Sequence, residues 1–310
     1  MLAAVGLLVV GAGLLYVGAE AAIRGATGFA RILGIPVFVM GALLFGIDLE
    51  GLGTALVAAG QGQTALAAGE IFGTILFLFS AAFGVALLIA PRPVPSPDPV
   101  MVLAPAVQLV VAAWFLSDRF VGRLEGGVLV LLYAGYVWLV VREGTSARAR
   151  ARELEREAEE APRSRALLLA AALAGLGLLY LGARLLVAGG TRILAGTELS
   201  AGFVGAAVLG VLASLDEVLL EVIPIRRGTP ELATGNLFGT LAAFTSGVLG
   251  LAALVHPLDL DSASSLAFLG AAVLYAVVAS TFLLRGRVGR VVGAVVLAFY
   301  VGWLVVAASV

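Results

Sequence analysis

Apolar residues run almost unbroken along this chain, in stretches long enough to cross a bilayer and separated by short polar breaks. A transmembrane helix needs roughly 17–25 predominantly apolar residues. Ten segments qualify, near 2–23, 35–59, 65–90, 100–117, 124–142, 166–188, 199–225, 231–256, 264–284 and 287–308. They lack the period-two alternation of membrane-barrel strands, so the pattern predicts an all-α integral membrane protein. The longest polar interruption, Arg142–Arg165, mixes arginine, glutamate and alanine over Ala147–Ala161 and predicts a solvated helix inside a plain linker. The chain therefore divides into 1–142, a charged linker at 143–165, and 166–310. Met1 opens directly onto an apolar stretch without a basic leader, so no cleavable signal is expected.

The two halves repeat one another. Gly11, Gly13, Tyr16, Gly18, Gly25, Gly41 and Gly46 recur 164 places later as Gly175, Gly177, Tyr180, Gly182, Gly189, Gly205 and Gly210. Beyond a two-residue slip, Gly69, Phe72, Gly73, Thr74, Gly84 and Pro91 recur 166 places later as Gly235, Phe238, Gly239, Thr240, Gly250 and Pro257. Duplication on this scale in a membrane chain points to a transporter built from two related halves. Arginine placement orients them. Connections after odd-numbered spans hold Arg24, Arg31, Arg92, the seven arginines of the linker region, Arg226, Arg227, Arg285, Arg287 and Arg290, whereas the other side has Arg119, Arg123 and Arg192. The positive-inside rule makes the first set cytoplasmic and both termini extracytoplasmic. Because each half has five spans, the two enter the membrane in opposite directions, as an inverted repeat.

Composition sharpens this picture in two places. The chain is 61% hydrophobic and 13% charged, with a mean hydropathy of +1.10, which fits a protein embedded in membrane. Cysteine is absent, so disulfides and thiolate metal sites are excluded. The net charge of −1 says nothing about partners. Those expected are small inorganic cations and membrane lipid, without nucleic acid or a bound cofactor. The oligomeric state is open, and a monomer is compatible with everything above.

Carboxylates inside apolar segments carry the candidate chemistry. Asp48 and Glu50 lie in the second span, Glu70 opens the third, and Ser214, Asp216 and Glu217 lie in the seventh. Asn236 in the eighth span occupies the position of Glu70 in the repeat. Each carboxylate at mid-membrane costs about 2.5–3.5 kcal/mol on insertion scales. They are therefore expected to converge on a protein-lined cavity and share a cation or protons. Flanking glycines permit close helix packing and local unwinding, which frees backbone carbonyls as further ligands. Oxygen ligands without Cys or His favour hard ions such as Ca²⁺, Mg²⁺ or Na⁺. Proton competition is expected wherever carboxylates cluster.

These residues also resemble the α-repeats of the sodium/calcium exchanger superfamily, whose G-T-S-x-P-E core is followed nineteen residues later by a G-N/D-x-x-G-S-N core. Glu217 stands at the glutamate position, Ser214 at the serine, and Asn236 within Gly235-Asn236-Leu237-Phe238-Gly239-Thr240. Arg227-Gly228 between the cores matches as well, and Gly122-Arg123-Leu124-Glu125-Gly126 leading into Tyr133 resembles the fifth-span signature. The resemblance implies a ten-helix exchanger fold, an ion site between spans two, three, seven and eight, and sliding of spans one and six against the rest. Departures concentrate in the first half. Gly51 takes the glutamate position, Glu50 the preceding proline position, Asp48 the serine and Glu70 the asparagine; in the second half Asp216 replaces proline. Fewer neutral ligands weigh against multi-site Na⁺ binding, and carboxylate density that is retained or increased suits a divalent ion exchanged for protons at least as well.

Glu217, Glu70 and Asn236 are the expected ligands, with Glu50 and Ser214 in support. Asp216 and Asp48 are expected to have structural or gating roles, because adjacent helical residues do not face one centre. Glu221 either lines the ion path or pairs with Arg226 or Arg227. Glu20 and Arg184, at matched positions with opposite charge, either pair across the pseudo-twofold or snorkel separately. His256 reads as an interfacial residue. Three further functions compete with antiport. An intramembrane aspartyl protease lacks its G-x-G-D-like context, a channel lacks a filter, and a degenerate exchanger would act as an ion sensor or scaffold.

Overall fold

The computed structural model describes residues 2–90, 92–154, 164–194, 214–260 and 262–307. Among them, seven helices are long and apolar enough to cross a membrane, and Gly51–Gly60 and Arg290–Val305 are shorter apolar helices. Large apolar side chains such as Leu131, Trp114 and Leu284 point outward. Helices that are apolar both inside and out belong in lipid.

Two long helices stand somewhat apart. α1 (Leu2–Leu33) and α8 (Arg165–Leu194) pack against each other along their length. A Cβ added to Gly11 would lie 2.9 Å from the Gly182 carbonyl, and one added to Gly18 would lie 2.8 Å from that of Gly175. The order of these contacts makes the pair antiparallel, and only glycine permits so close a backbone approach. Their buried residues, including Leu15, Ile23, Leu179 and Leu186, form a small core separate from the main one, joined by Met40, Phe45 and Leu220.

The main core is built on two interrupted helices. α4 (Thr64–Phe77) passes through a π-helical turn at Leu78–Ala82 into α5 (Phe83–Ile89). In the later half, α10 (Pro230–Ala242) passes through a π turn at Ala243–Val248 into α11 (Leu249–Val255). These two spans are 72% and 83% buried, against 22–44% for the other five, which puts them at the centre. A π turn leaves carbonyls short of partners. Here side-chain hydroxyls donate to them: Thr245 to Leu241 (2.6 Å), Ser246 to Ala242 (2.7 Å) and Ser80 to Leu76.

The segment expected as one span at 35–59 is broken. α2 (Val37–Met40) runs into a π turn at Gly41–Phe45, the chain leaves helical geometry at Gly46–Asp48, and α3 (Leu49–Gly60) restarts. Asp48 Oδ2 accepts the Gly51 backbone N–H at 3.0 Å, the bond of a helix N-terminal cap. The broken stretch packs tightly on α10, where a Cβ on Gly46 would fall 2.8 Å from the Gly239 Cα. Its counterpart in the later half, α9 (Leu215–Arg227), starts after Ser214 and ends at Gly228, whose φ of +78° suits glycine. The residues before Ser214, among them the repeat positions Gly205 and Gly210, lie outside the described residues, as does Pro91.

The periphery holds α6 (Pro99–Phe115), α7 (Arg123–Leu154), α12 (Ser262–Arg285) and α13 (Arg290–Ala307). The helix expected in the charged linker is, as far as Leu154, a continuation of α7. Two short antiparallel strand pairs tie the connections together. β1 (Val94–Pro95) pairs with β4 (Arg287–Val288), and β2 (Phe120–Val121) pairs with β3 (Leu258–Asp259).

Candidate functional site

The broken start of α3, the middle of α4 and the start of α9 meet around one cavity of about 230 Å³. Asp48, Gly51 and Thr54 line it from the α3 side, Glu70, Thr74 and Phe77 from α4, and Ser214, Asp216 and Glu217 from α9. The α4 set is spaced i, i+4, i+7, one face of a helix. On the α9 side the wall is the helix end itself. Ser214 sits at the N-cap and Asp216 and Glu217 in the first turn, where unpaired backbone N–H groups favour negative charge. Five residues proposed from the sequence, Asp48, Glu70, Ser214, Asp216 and Glu217, are thus brought together.

Asn236 stands behind this wall on α10 and is fully buried. Its Nδ2 donates to Glu217 Oε2 at 3.4 Å and to Glu221 Oε1 at 3.1 Å. Glu50 lies on α3, but its side chain is outside the described residues. Among the described residues, no three acidic or imidazole side chains stand close enough to hold a metal ion between them. A cation in this cavity would therefore draw on hydroxyl, amide and carbonyl oxygens as well as on carboxylates.

Three expectations need correction. Glu221 does not pair with Arg226 or Arg227; it is fully buried and bonds Asn236, while both arginines are exposed. One helical turn separates it from Glu217, so the two share the face of α9 that meets Asn236. Asp216 was expected to face away from the centre occupied by Glu217, yet both line the cavity, because it wraps around a helix end instead of abutting a helix side. Glu20 does not pair with Arg184. It accepts from Arg227 across the seam between α1 and α9, from Arg24 at 2.7 Å and from the Tyr16 hydroxyl at 3.0 Å. Arg184 lies over the Tyr180 ring, 5.9 Å from its centroid. His256 is exposed at a helix end, its Nδ1 2.8 Å from the Pro257 carbonyl.

Sequence reasoning missed Glu221 as a buried partner, along with Thr54, Thr74 and Phe77 as lining residues. The signal was present for Thr74 and Phe77, which follow Glu70 at helical spacing, and for Glu221, which follows Glu217 by four. The same signal was present for Thr54, which follows Asp48 and Gly51 at intervals of three on the helix that restarts after the break.

The sequence profile of the sodium/calcium exchanger protein family matches residues 3–142 and 167–308. The chain belongs to this family. Its members are transporters, so no enzymatic activity is assigned to the buried carboxylates. Among relatives, the chain is 25% identical to a protein of Alkalimonas amylolytica named "Putative antiporter CaxA", over 98% of each chain. It is 27% identical to the inner membrane protein YrbG of Escherichia coli, over 84% of this chain and 82% of that one. Its fold matches the sodium-calcium exchanger NCX_Mj soaked with 10 mM Na⁺ and 10 mM Sr²⁺, at a TM-score of 0.80 and 22% identity over 98% of both chains.

Proposed function

We propose that this exchanger is a secondary antiporter that moves a cation, with Ca²⁺ or another divalent ion as first choice, against Na⁺ or H⁺. The single observation that carries the reading is the cavity shared by Asp48, Glu70, Asp216 and Glu217. Four acidic side chains line that one space, inside a chain that is 61% hydrophobic. Such a site binds either the divalent ion or its counter-ions, and mutual exclusion at one site couples their movements. The solved relative was soaked with Na⁺ and Sr²⁺, which supports the same ion classes here.

We read the architecture as ten membrane segments in two inverted halves. The seven long helices, the broken α2–α3, α9 and α13 supply the ten. Reciprocal contacts support the twofold relation. Gly11 meets Gly182 while its repeat partner Gly175 meets Gly18, and Gly84 meets Gly293 while its partner Gly250 meets Gly126. A twofold axis produces this exchange of partners. The arginine distribution supports a plasma-membrane orientation with both termini extracytoplasmic. The cluster through which α1 and α8 pack on each other and on α2, α9 and α10 is distinct from the main core, which supports their movement as a pair past the remaining helices during alternating access.

One observation favours a second reading, that of a non-transporting ion sensor or scaffold. Gly51 lines the cavity where the family carries glutamate, which removes one carboxylate from the first half. Reconstitution separates the two. Purified protein in proteoliposomes is loaded with Ca²⁺, Mg²⁺ or Mn²⁺ under separately imposed sodium and pH gradients. The antiporter reading expects gradient-driven flux of at least one divalent ion with one of the two counter-ions. Binding without flux under every gradient would leave the sensor.

A further inference from the structure

Glu221 is the acidic group hardest to explain by packing. It is fully buried, Glu217 is nearly so, and among the described residues neither has an ion-pair partner. The Asn236 amide nitrogen bridges the two carboxylates at 3.1 and 3.4 Å. A neutral amide donates hydrogen bonds but cannot cancel two negative charges. Three buried oxygens beside this bridge have no hydrogen-bond partner among the described residues: Glu221 Oε2, Asn236 Oδ1 and Thr240 Oγ1. Single unpartnered polar atoms occur elsewhere among the described residues, at Thr27 and Gln108 for example, but here three oxygens lie on or beside one pair of carboxyl groups, an arrangement that suits a cation.

The amide itself offers the means. Rotation of the Asn236 side chain by half a turn exchanges Nδ2 for Oδ1 at the same place. The space between Glu217 and Glu221 would then hold three oxygens, with the Thr240 hydroxyl one turn further along the same face of α10. Protons can neutralise these carboxyl groups when no ion is present; when both are ionised they carry a charge of −2, which a divalent ion cancels and a monovalent ion leaves half uncompensated. An all-oxygen set suits a hard ion.

We propose that Glu217, Glu221 and Asn236 form an inner position for a dehydrated divalent cation, one helical turn beyond the cavity toward Arg226 and Arg227. Glu217 belongs to both positions and hands the ion from one to the other. Asn236 turns its nitrogen to the carboxylates when the position is empty and its oxygen to the ion when it is filled. This rests on the reading that the cavity beside Glu217 admits a cation.

The test is calorimetric titration of the full-length protein with Ca²⁺ at low Na⁺, and with Na⁺ in the absence of Ca²⁺. Glu221→Gln is expected to weaken Ca²⁺ binding at least about tenfold while Na⁺ binding persists. Glu221→Asp, which keeps both charges, is expected to hold Ca²⁺ affinity within a few-fold of the parent, so loss through misfolding is told apart from loss of charge. The inner position is overturned if Glu221→Gln binds Ca²⁺ like the parent while Glu217→Gln does not, an outcome that leaves the antiporter reading standing. It is also overturned if Gln and Asp at 221 weaken Ca²⁺ equally, which would mark a packing role. If neither Glu217→Gln nor Glu221→Gln changes Ca²⁺ binding, the cavity reading fails and the inner position with it.

Discussion

At the residue scale, the site divides its acidic groups by the work their surroundings give them. Asp48 both faces the cavity and holds the Gly51 N–H that starts α3. Those two tasks are separable by chemistry, since an amide still accepts the backbone bond but carries no charge. Asp48→Ala should therefore lower thermal stability in detergent by about 1 kcal/mol through loss of the cap, whereas Asp48→Asn should unfold near the parental temperature and transport more slowly. Equal stability for Ala and parent would remove the capping role. Glu217 and Glu221 show the limit of sequence reasoning at this scale. Four-residue spacing on a helix was visible, but nearby Arg226 and Arg227 offered an obvious partner for Glu221. The direction of the side chain decides between a surface pair and a buried bridge, and that direction depends on α10, whose placement no local pattern encodes.

At the element scale, helix breaks rather than helices place the chemistry. Apolar length located the starts of the long helices to within a few residues, because crossing a bilayer is a requirement on length, but it ended the first span at 23 where α1 continues to Leu33. The same signal runs straight through Gly46–Asp48 and through the π turns, because these change backbone geometry without changing hydropathy. Glycine-glycine contacts then fix how the interrupted segments dock. A Cβ on Gly239 would fall 2.6 Å from the Ala42 Cα, with no flexible side chain available to yield. Gly239→Ala should accordingly cost about 1–3 kcal/mol by overpacking, read as a lower unfolding temperature. It should also weaken cation binding, since the shift displaces Asn236, three residues earlier on the same helix. Gly13→Ala, where an added methyl meets nothing within 4 Å, serves as the control and should change neither.

At the scale of the whole molecule, the chain consists of a large core and an α1–α8 pair with its own smaller core. The contacts of Gly11 with Gly182 and of Gly18 with Gly175 follow the 164-residue offset of the internal duplication. What the duplication misled on is charge. Glu20 and Arg184 occupy equivalent places in the repeat, but α1 and α8 run antiparallel and so bring together different positions, such as Gly11 with Gly182. Glu20 instead bonds Arg227 at the end of α9, so one ion pair crosses from the α1–α8 pair to the helix that carries Glu217.

The central claim is that acidic groups lining the shared cavity bind the transported cation. Its most direct test is gradient-driven Ca²⁺ flux in everted membrane vesicles, comparing the parent with Glu217→Gln at matched protein levels. Loss of flux on removal of this one charge is the predicted result. Flux at the parental rate would contradict it.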